Sequence, residues 1–115
     1  MEFKHEIVNN KILIITMSGD LIGENNGPEI IKLVNGKIEE GFFYCAVDLS
    51  EIRYMNSSGI GVLITLLTKF RNHEGEMALI RPSDNIRKLL IITKLNKIFS
   101  ICETREEAIQ VLNPS

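Results

Sequence analysis

DLSEIRYMNSSGIGVL, residues 48–63, is the stretch of the sequence that indicates the fold most directly. It overlaps FYCAVDL, residues 43–49, whose near-continuous apolar character is typical of a buried strand. Apolar residues then recur at helical spacing over residues 56–72 and make one broad face: Ile60, Leu63, Ile64, Leu67 and Phe70. We therefore predict a strand, a loop over residues 50–58 and a helix.

The predicted helix opens with Asn56, Ser57, Ser58 and Gly59. The start of a helix presents unpaired backbone N–H groups and a partial positive charge. A hydroxyl there can cap the helix, and if phosphorylated it would hold about −1.5 to −2 charge where the helix dipole tolerates it. Ser57 therefore has two interpretations, an ordinary N-cap, which Ser58 could also provide, and a site of modification.

The rest of the chain alternates between strand and helix patterns. Residues 3–8 and 11–17 predict a hairpin around an Asn9-Asn10 turn. Polar residues 20–27 predict a loop, and Pro28 suits the first turn of a helix that ends near Glu40. The remaining elements are a strand at residues 76–81, a helix capped by Ser83 or Asp84, a strand at 98–102 and a helix at 104–112 with Thr104 as its N-cap.

This order predicts an α/β fold in a single domain over residues 1–115. Right-handed crossovers give a mixed, mostly parallel sheet of about five strands with about four helices, and the hairpin makes the first strand antiparallel. In such folds, partners and ligands meet the loops at the carboxyl ends of the strands. The rule points to residues 18–27 and 50–58.

Composition excludes several classes of function. The net charge is −2, and the 13 basic residues are spread along the chain, so a nucleic-acid partner is not expected. The charged N-terminal segment has no apolar run of the kind a signal peptide needs. Apolar stretches span only a few residues, whereas a transmembrane helix needs roughly 20, so we expect a cytoplasmic protein without membrane insertion.

The chain offers no recognisable catalytic, metal or cofactor motif. Cys45 and Cys102 lie in apolar segments and are expected to be reduced core residues. Gly59-Ile-Gly61 lacks the remaining residues of a dinucleotide or phosphate loop. His73 lies sixteen residues after Ser57, roughly 24 Å along an intact helix, which is too far for a general base.

Several segments resemble the STAS family, and in particular bacterial anti-sigma factor antagonists. Asp48-Leu-Ser followed by Tyr54-Met-Asn-Ser-Ser-Gly-Ile-Gly is similar to the family signature. Further matches lie on both sides of it: Gly19-Asp-Leu, Gly75-Glu-Met, the residues from Pro82 to Phe99, and Glu107-Ala108. The resemblance thus covers nearly the whole chain.

The resemblance implies a mechanism without catalysis or a cofactor. Family members bind an anti-sigma factor that is also an ATP-using serine kinase, which releases the sigma factor. The kinase phosphorylates the first serine of the motif, here Ser57 with Ser58 as second choice; the complex then weakens, and a phosphatase restores binding. By analogy, the partner-binding residues are Asp20, Leu21, Tyr54, Met55, Asn56, Ser57, Ser58 and Gly59.

Two departures from the family pattern keep a second function open. Asn56 and Ile22 stand where the family usually has acidic residues near the phosphorylated serine. The alternative is an accessory or scaffold STAS subunit of a transport, lipid-trafficking or signalling assembly, with Ser57 unmodified. Val62 and Leu66 lie off the predicted apolar face, so they either contact a partner or are buried by a neighbouring element.

Overall fold

The computed structural model describes residues 1–113. Five strands and four helices of eight residues or more follow one another within this range. They are β1 (Glu2–Val8), β2 (Ile12–Leu21), α1 (Gly23–Glu39), β3 (Tyr44–Met55), α2 (Ser57–Arg71), β4 (Glu76–Ile80), α3 (Asp84–Ile92), β5 (Ser100–Cys102) and α4 (Arg105–Leu112), with a 3-10 turn at Leu95–Lys97 between α3 and β5. The predicted order of strands and helices is confirmed.

The strands form one mixed sheet in the order β1-β2-β3-β4-β5. β1 pairs antiparallel with β2, and every other neighbouring pair is parallel. Asn9 and Asn10 join β1 to β2 with φ angles of 56° and 57°, the left-handed values that a tight hairpin turn requires. The predicted α/β class and the antiparallel first strand are therefore confirmed.

Helices cover the two faces of the sheet unequally. On one face, α1, α2 and α3 bury the larger core, which includes Ile30, Leu63, Phe70 and Leu90. On the other face, α4 buries Ala108 and Leu112 against a smaller set of residues from β2 to β5. Three successive crossovers on one face bring the starts of α1 and α2 side by side.

The predicted loop over residues 50–58 is wrong, because β3 continues to Met55. Leu49, Ile52 and Met55 are buried while the residues between them are exposed. A spacing of three does not fit a regular strand, in which the buried residues alternate. Two register shifts between β2 and β3 explain this spacing. β3 has one residue more than β2 between the pairs Thr16↔Asp48 and Ser18↔Glu51. It again has one residue more between the pairs Gly19↔Ile52 and Asp20↔Tyr54.

The predicted loop over residues 20–27 is also wrong. β2 extends to Leu21, and α1 begins at Gly23, so Pro28 lies inside the helix. Ile22, at the N-cap position, has no side chain that could accept a hydrogen bond. A residue distant in sequence, described below, takes that role, and for this reason local sequence gives no sign of the helix start.

Helix α2 is buried more widely than its predicted face. Val62 and Leu66 are 6% and 0% exposed, whereas Ile64, assigned to the core face, is 37% exposed. α1 packs beside α2 and covers a second side of it, with Gly27 close to Val62. Burial by a neighbouring helix is therefore the correct interpretation of Val62 and Leu66.

Cys45 and Cys102 are both free and buried, as predicted. Burial raises the pKa of each thiol, and for Cys102 the nearby carboxylates of Glu107 and Glu103 raise it further. Since the thiolate is the form that reacts and binds metals, these cysteines act as small apolar core residues.

Candidate functional site

The site predicted from sequence lies where β2 and β3 end and α1 and α2 begin. Pairing of the two strands places Asp20 opposite Tyr54 and Leu21 opposite Met55. The two segments singled out by the strand-end rule are therefore neighbours in space, although residues 18–21 and 50–55 belong to strands and residues 23–27 to α1.

Ser57 is the first residue of α2, and its side chain is exposed. The N-cap is Asn56, whose Oδ1 accepts a hydrogen bond from the backbone N–H of Gly59 at 2.9 Å. Among residues 1–113, the Ser57 hydroxyl takes part in none of the hydrogen bonds found. The N-cap interpretation of Ser57 is thus wrong, because Asn56 provides the cap and leaves the Ser57 hydroxyl facing solvent.

Ser58 joins the starts of the two helices. Its Oγ accepts a hydrogen bond from the backbone N–H of Gly23 at 2.9 Å. Its hydroxyl donates to a Glu24 carboxylate oxygen at 2.5 Å or to Asn56 Oδ1 at 2.8 Å, one at a time because it carries one hydrogen. Ser58 therefore supplies to α1 the cap that Ile22 lacks.

The Glu24 carboxylate lies in the first turn of α1, next to the first turn of α2. The hydrogen bond from Ser58 is the main cause that lowers the pKa of this carboxyl below its ordinary value of 4.5, with a backbone N–H bond as the second cause. A negative charge is favourable at the start of a helix, so Glu24 remains ionised at neutral pH.

Two glycines allow this close packing. A Cβ at Gly59 would lie 2.3 Å from the backbone oxygen of Leu21, and a Cβ at Gly23 would lie 2.3 Å from the backbone oxygen of Ser58. Real Cβ atoms do not approach backbone oxygens so closely, so both positions require glycine for contact rather than for an unusual φ angle. Gly61, by contrast, has open space around it.

The exposed part of the site combines an aromatic side chain with polar groups. Tyr54 is 54% exposed. Beside it, Asp20 forms an ion pair with Arg53 at 3.4 Å. Exposed aromatic residues are frequent anchors of protein–protein contacts. The surface formed by Asp20, Arg53, Tyr54 and Ser57 is called the Ser57 surface below.

Three of the residues predicted to bind a partner have no side chain at this surface. Leu21 is 0% exposed, Met55 is 4% exposed, and Gly59 is packed against Leu21. They hold the ends of β2, β3 and α2 together, and a partner cannot reach their side chains. Asp20, Asn56 and Ser58 are half-buried, while Tyr54 and Ser57 are exposed.

Sequence reasoning missed Gly23, Glu24 and Arg53. Glu24 follows Ile22-Gly23 and precedes Asn25-Asn26, a polar and glycine-containing run that is typical of a loop. The acidic residue ahead of an apolar helical repeat was the available signal, because first turns of helices favour acidic residues.

The histidines lie away from the site. His73 follows α2 and stacks on Phe43, with the ring centroids 5.3 Å apart. His5 lies in β1 and is exposed. Within residues 1–113, no three His, Cys, Asp or Glu side chains are grouped so that they could hold a metal ion. None of the helices in that range is both long and apolar enough to cross a membrane.

Two bacterial proteins are similar in sequence to this chain. A Thermotoga neapolitana protein named as a homologue of TM1081 is 27% identical over 109 residues, which are 94% of this chain and 95% of that protein. The anti-sigma-B factor antagonist of Listeria monocytogenes is 34% identical over 65 residues, 56% of each chain.

Solved structures establish the fold. The anti-sigma factor antagonist SpoIIAA in its unphosphorylated form has a TM-score of 0.84 at 21% identity, covering 99% of this chain and 98% of that one. The phosphorylated form of the Bacillus protein SpoIIAA has a TM-score of 0.78 at 23% identity, covering 97% and 100%.

The sequence profile of the STAS domain matches residues 6–108. That range runs from β1 into α4 and includes the whole Ser57 surface. Since the match extends over most of the chain, and the fold agrees with it, this protein belongs to the STAS domain family.

Proposed function

We propose that this chain, acting in the cytoplasm as one non-catalytic STAS domain, is an anti-sigma factor antagonist. In this proposal it binds an anti-sigma factor with serine kinase activity, and phosphorylation of Ser57 weakens the complex until a phosphatase restores it. The observation that carries the proposal is the exposed Ser57 hydroxyl, which the capping of α2 by Asn56 leaves unused. The names of the relatives support the class of partner.

The three polar residues at the start of α2 have separate roles. Asn56 caps α2, and Ser58 bridges α2 to α1. Both side chains are committed to hydrogen bonds that hold the fold. Because the Ser57 hydroxyl makes none of these hydrogen bonds, a kinase can modify it without displacing a structural contact. This difference between the two serines supports Ser57 over Ser58 as the modified residue.

A phosphate on Ser57 would change the surface far more than the stability. It would bring about −1.5 to −2 charge to a position that now carries a neutral hydroxyl. Attraction to the N-terminus of α2 is worth about 0.3–1 kcal/mol at an exposed position. Glu24 lies close enough to Ser58 to hydrogen-bond with it, and its carboxylate would oppose part of that gain. The net effect on folding is small, whereas the surface beside Tyr54 gains a large negative charge.

The test compares two variants of equal size. Ser57→Asp adds a negative charge, and Ser57→Asn has nearly the same shape without charge. We expect Ser57→Asp to bind the kinase-type anti-sigma factor of the same organism about tenfold or more weakly than Ser57→Asn, in a titration calorimeter. Both variants should have melting temperatures within a few degrees of that of the unmodified protein, because substitutions at exposed positions usually change stability little.

Equal affinity of the two variants would contradict the proposal. A large fall in the melting temperature of Ser57→Asp alone would do so as well, since the effect would then come from folding. Tyr54→Ala provides a second check of the surface, because loss of an anchoring aromatic side chain should weaken the complex in the unmodified protein.

The uncharged residues at positions 56 and 22 favour one alternative. Asn56 and Ile22 are uncharged, and Ile22 is half-buried beside the Ser57 surface. An accessory or scaffold STAS subunit would use this surface without ATP-dependent modification. Incubation of the protein with its partner and ATP, followed by intact-mass measurement, separates the two functions. Addition of one phosphate supports the antagonist, and an unchanged mass in a stable complex supports the scaffold.

A further inference from the structure

A second unusual surface lies at the end of α3. Ile91 and Ile92 are 54% and 78% exposed, and Ile98, just after the 3-10 turn, is 38% exposed. The neighbouring apolar residues of the same segment, Leu89 and Leu95, are half-buried against the core. The segment therefore presents three exposed isoleucines beside leucines that pack against the core.

This segment is also the most basic part of the chain. Residues 85–102 contain four of the 13 basic residues and none of the 15 acidic ones, so their formal charge is +4 while the rest of the chain carries −6. Arg87 is paired with Glu103 at 3.0 Å. Lys88, Lys94 and Lys97 are exposed, and they occur in none of the ion pairs found within residues 1–113.

The backbone after α3 carries a further irregularity. Lys94 has a φ angle of 63°, in the left-handed region where glycine or asparagine is favoured at the end of a helix. A lysine at this position costs stability that a glycine would recover. Exposed isoleucines, the absence of acidic residues and a strained lysine are three departures from a stable surface, and all fall within residues 91–98.

This surface is remote from the Ser57 surface. Arg71, at the end of α2, donates a hydrogen bond to the backbone oxygen of Ile98 at 2.8 Å. Ser57 begins the same helix, fourteen residues earlier, which corresponds to about 21 Å along its axis. A partner can therefore engage the end of α3 while the Ser57 surface is free or occupied.

We propose that Ile91, Ile92 and Ile98, with Lys88, Lys94 and Lys97, form a docking surface for an acidic, amphipathic segment of a partner protein. Apolar side chains of that segment cover the isoleucines, and its carboxylates meet the lysines, an arrangement of apolar centre and charged rim that is common in interfaces.

Two other occupants fit less well. A second copy docked through the same patch by a two-fold axis would bring lysines opposite lysines. An anionic membrane would attract the lysines but repel the remaining surface, whose formal charge is −6. A nine-residue helix with two exposed isoleucines also gives little apolar area for insertion.

The probe is a helical peptide of roughly 18 residues, with leucines along one face and glutamates on the other. We expect it to bind the full chain, to shift backbone amide resonances mainly within residues 86–98, and to bind more weakly as salt is added. Ile92→Ser and Lys94→Gly should each weaken binding about threefold or more. Lys94→Gly should leave the fold at least as stable, since glycine suits its φ angle.

Val111→Ser is the matched control, because Val111 is 51% exposed on α4, on the other face of the sheet. It should bind the peptide like the unmodified protein. The proposal is overturned if the peptide does not bind, if a version with lysine in place of glutamate binds equally, or if both variants bind normally. Binding to phosphatidylglycerol vesicles without binding to the peptide, or dimerisation that depends on Ile92, would also overturn it.

Discussion

Three consecutive side chains at the start of α2 perform three different tasks. Asn56 caps the helix, Ser57 faces solvent, and Ser58 holds the start of α1. The hydroxyls of Ser57 and Ser58 are chemically alike, so their environments alone separate a surface group from a structural one. Substitutions at the two serines should therefore have different consequences.

Ser58→Ala should lower the free energy of unfolding by about 1 kcal/mol, because α1 then loses the acceptor for the Gly23 N–H. Ser57→Ala should change it by less than about 0.5 kcal/mol, as expected for an exposed side chain without a partner. Urea denaturation followed by circular dichroism gives both values. Equal losses for the two variants would contradict the separate roles of the serines.

Glu24 provides a pH-dependent signature of the same contact. Its pKa is lowered in the folded state, so the stabilisation from its hydrogen bond with Ser58 is present above pH 4.5 and is lost as the pH falls below that value. A carbon-detected NMR titration should find the Glu24 pKa below 4.5 in the unmodified protein and closer to it in Ser58→Ala. Ser57→Ala should leave this pKa unchanged. If Ser58→Ala leaves the Glu24 pKa unchanged, the hydrogen bond from Ser58 is not the main cause of the lowered pKa.

Among the secondary-structure elements, the contact of α2 with the end of β2 positions the site. The absence of a side chain at Gly59 allows the first turn of α2 to lie against the backbone of Leu21. The same contact brings Ser58 within hydrogen-bonding distance of Gly23. The position of Ser57 therefore depends on a glycine two residues away.

Gly59→Ala should destabilise the protein by about 1–3 kcal/mol, since its Cβ would meet a backbone oxygen that cannot move freely. Gly61→Ala is the matched control in the same helix. Its Cβ meets open space, and alanine favours the helix, so we expect stabilisation of up to about 1 kcal/mol. Thermal unfolding of both variants tests the contact, and a stable Gly59→Ala would rule it out.

The elements that sequence predicted correctly are those determined by local signals. The Asn9-Asn10 turn and the Thr104 cap of α4 occur as predicted, and Ser83 is the one of the two candidate residues that caps α3. The end of β3 could not be predicted, because two bulges give Leu49, Ile52 and Met55 a spacing that no regular strand has.

The start of α1 was missed for a related reason. Its cap comes from Ser58, thirty-five residues later in the chain than Gly23, so nothing near Ile22 marks the beginning of a helix. The exposure of Ser57 was predictable from its place at a helix start, whereas the burial of Leu21 and Met55 depended on the unpredicted extension of β2 and β3.

In the molecule as a whole, the helices on the two faces of the sheet bury both cysteines. Cys45 lies in the larger core and Cys102 in the smaller one, on opposite faces of the sheet. Raised thiol pKa values and burial both protect them from oxidation and alkylation. The reactivity of the two thiols therefore shows whether the helices on both faces remain packed against the sheet.

The folded protein should react with a thiol reagent such as 5,5′-dithiobis(2-nitrobenzoate) far more slowly than the protein in guanidinium, where both thiols become available. Rapid reaction of one thiol in the native state would show that one layer opens. Because Ser57 is exposed, Ser57→Asp should not change the native reaction rate, and an acceleration would indicate that charge at Ser57 disturbs the core.

In the proposed function, a phosphate on Ser57 changes the charge of one surface while the rest of the domain stays folded. The measurement that tests this most directly uses the unmodified protein, the proposed kinase-type anti-sigma factor of the same organism, and ATP. We predict one phosphate, mapped to Ser57, with binding weakened about tenfold or more, restored by a phosphatase, and an almost unchanged melting temperature. Phosphate on Ser58 instead, or a phosphorylated protein that binds as tightly as before, would contradict the account.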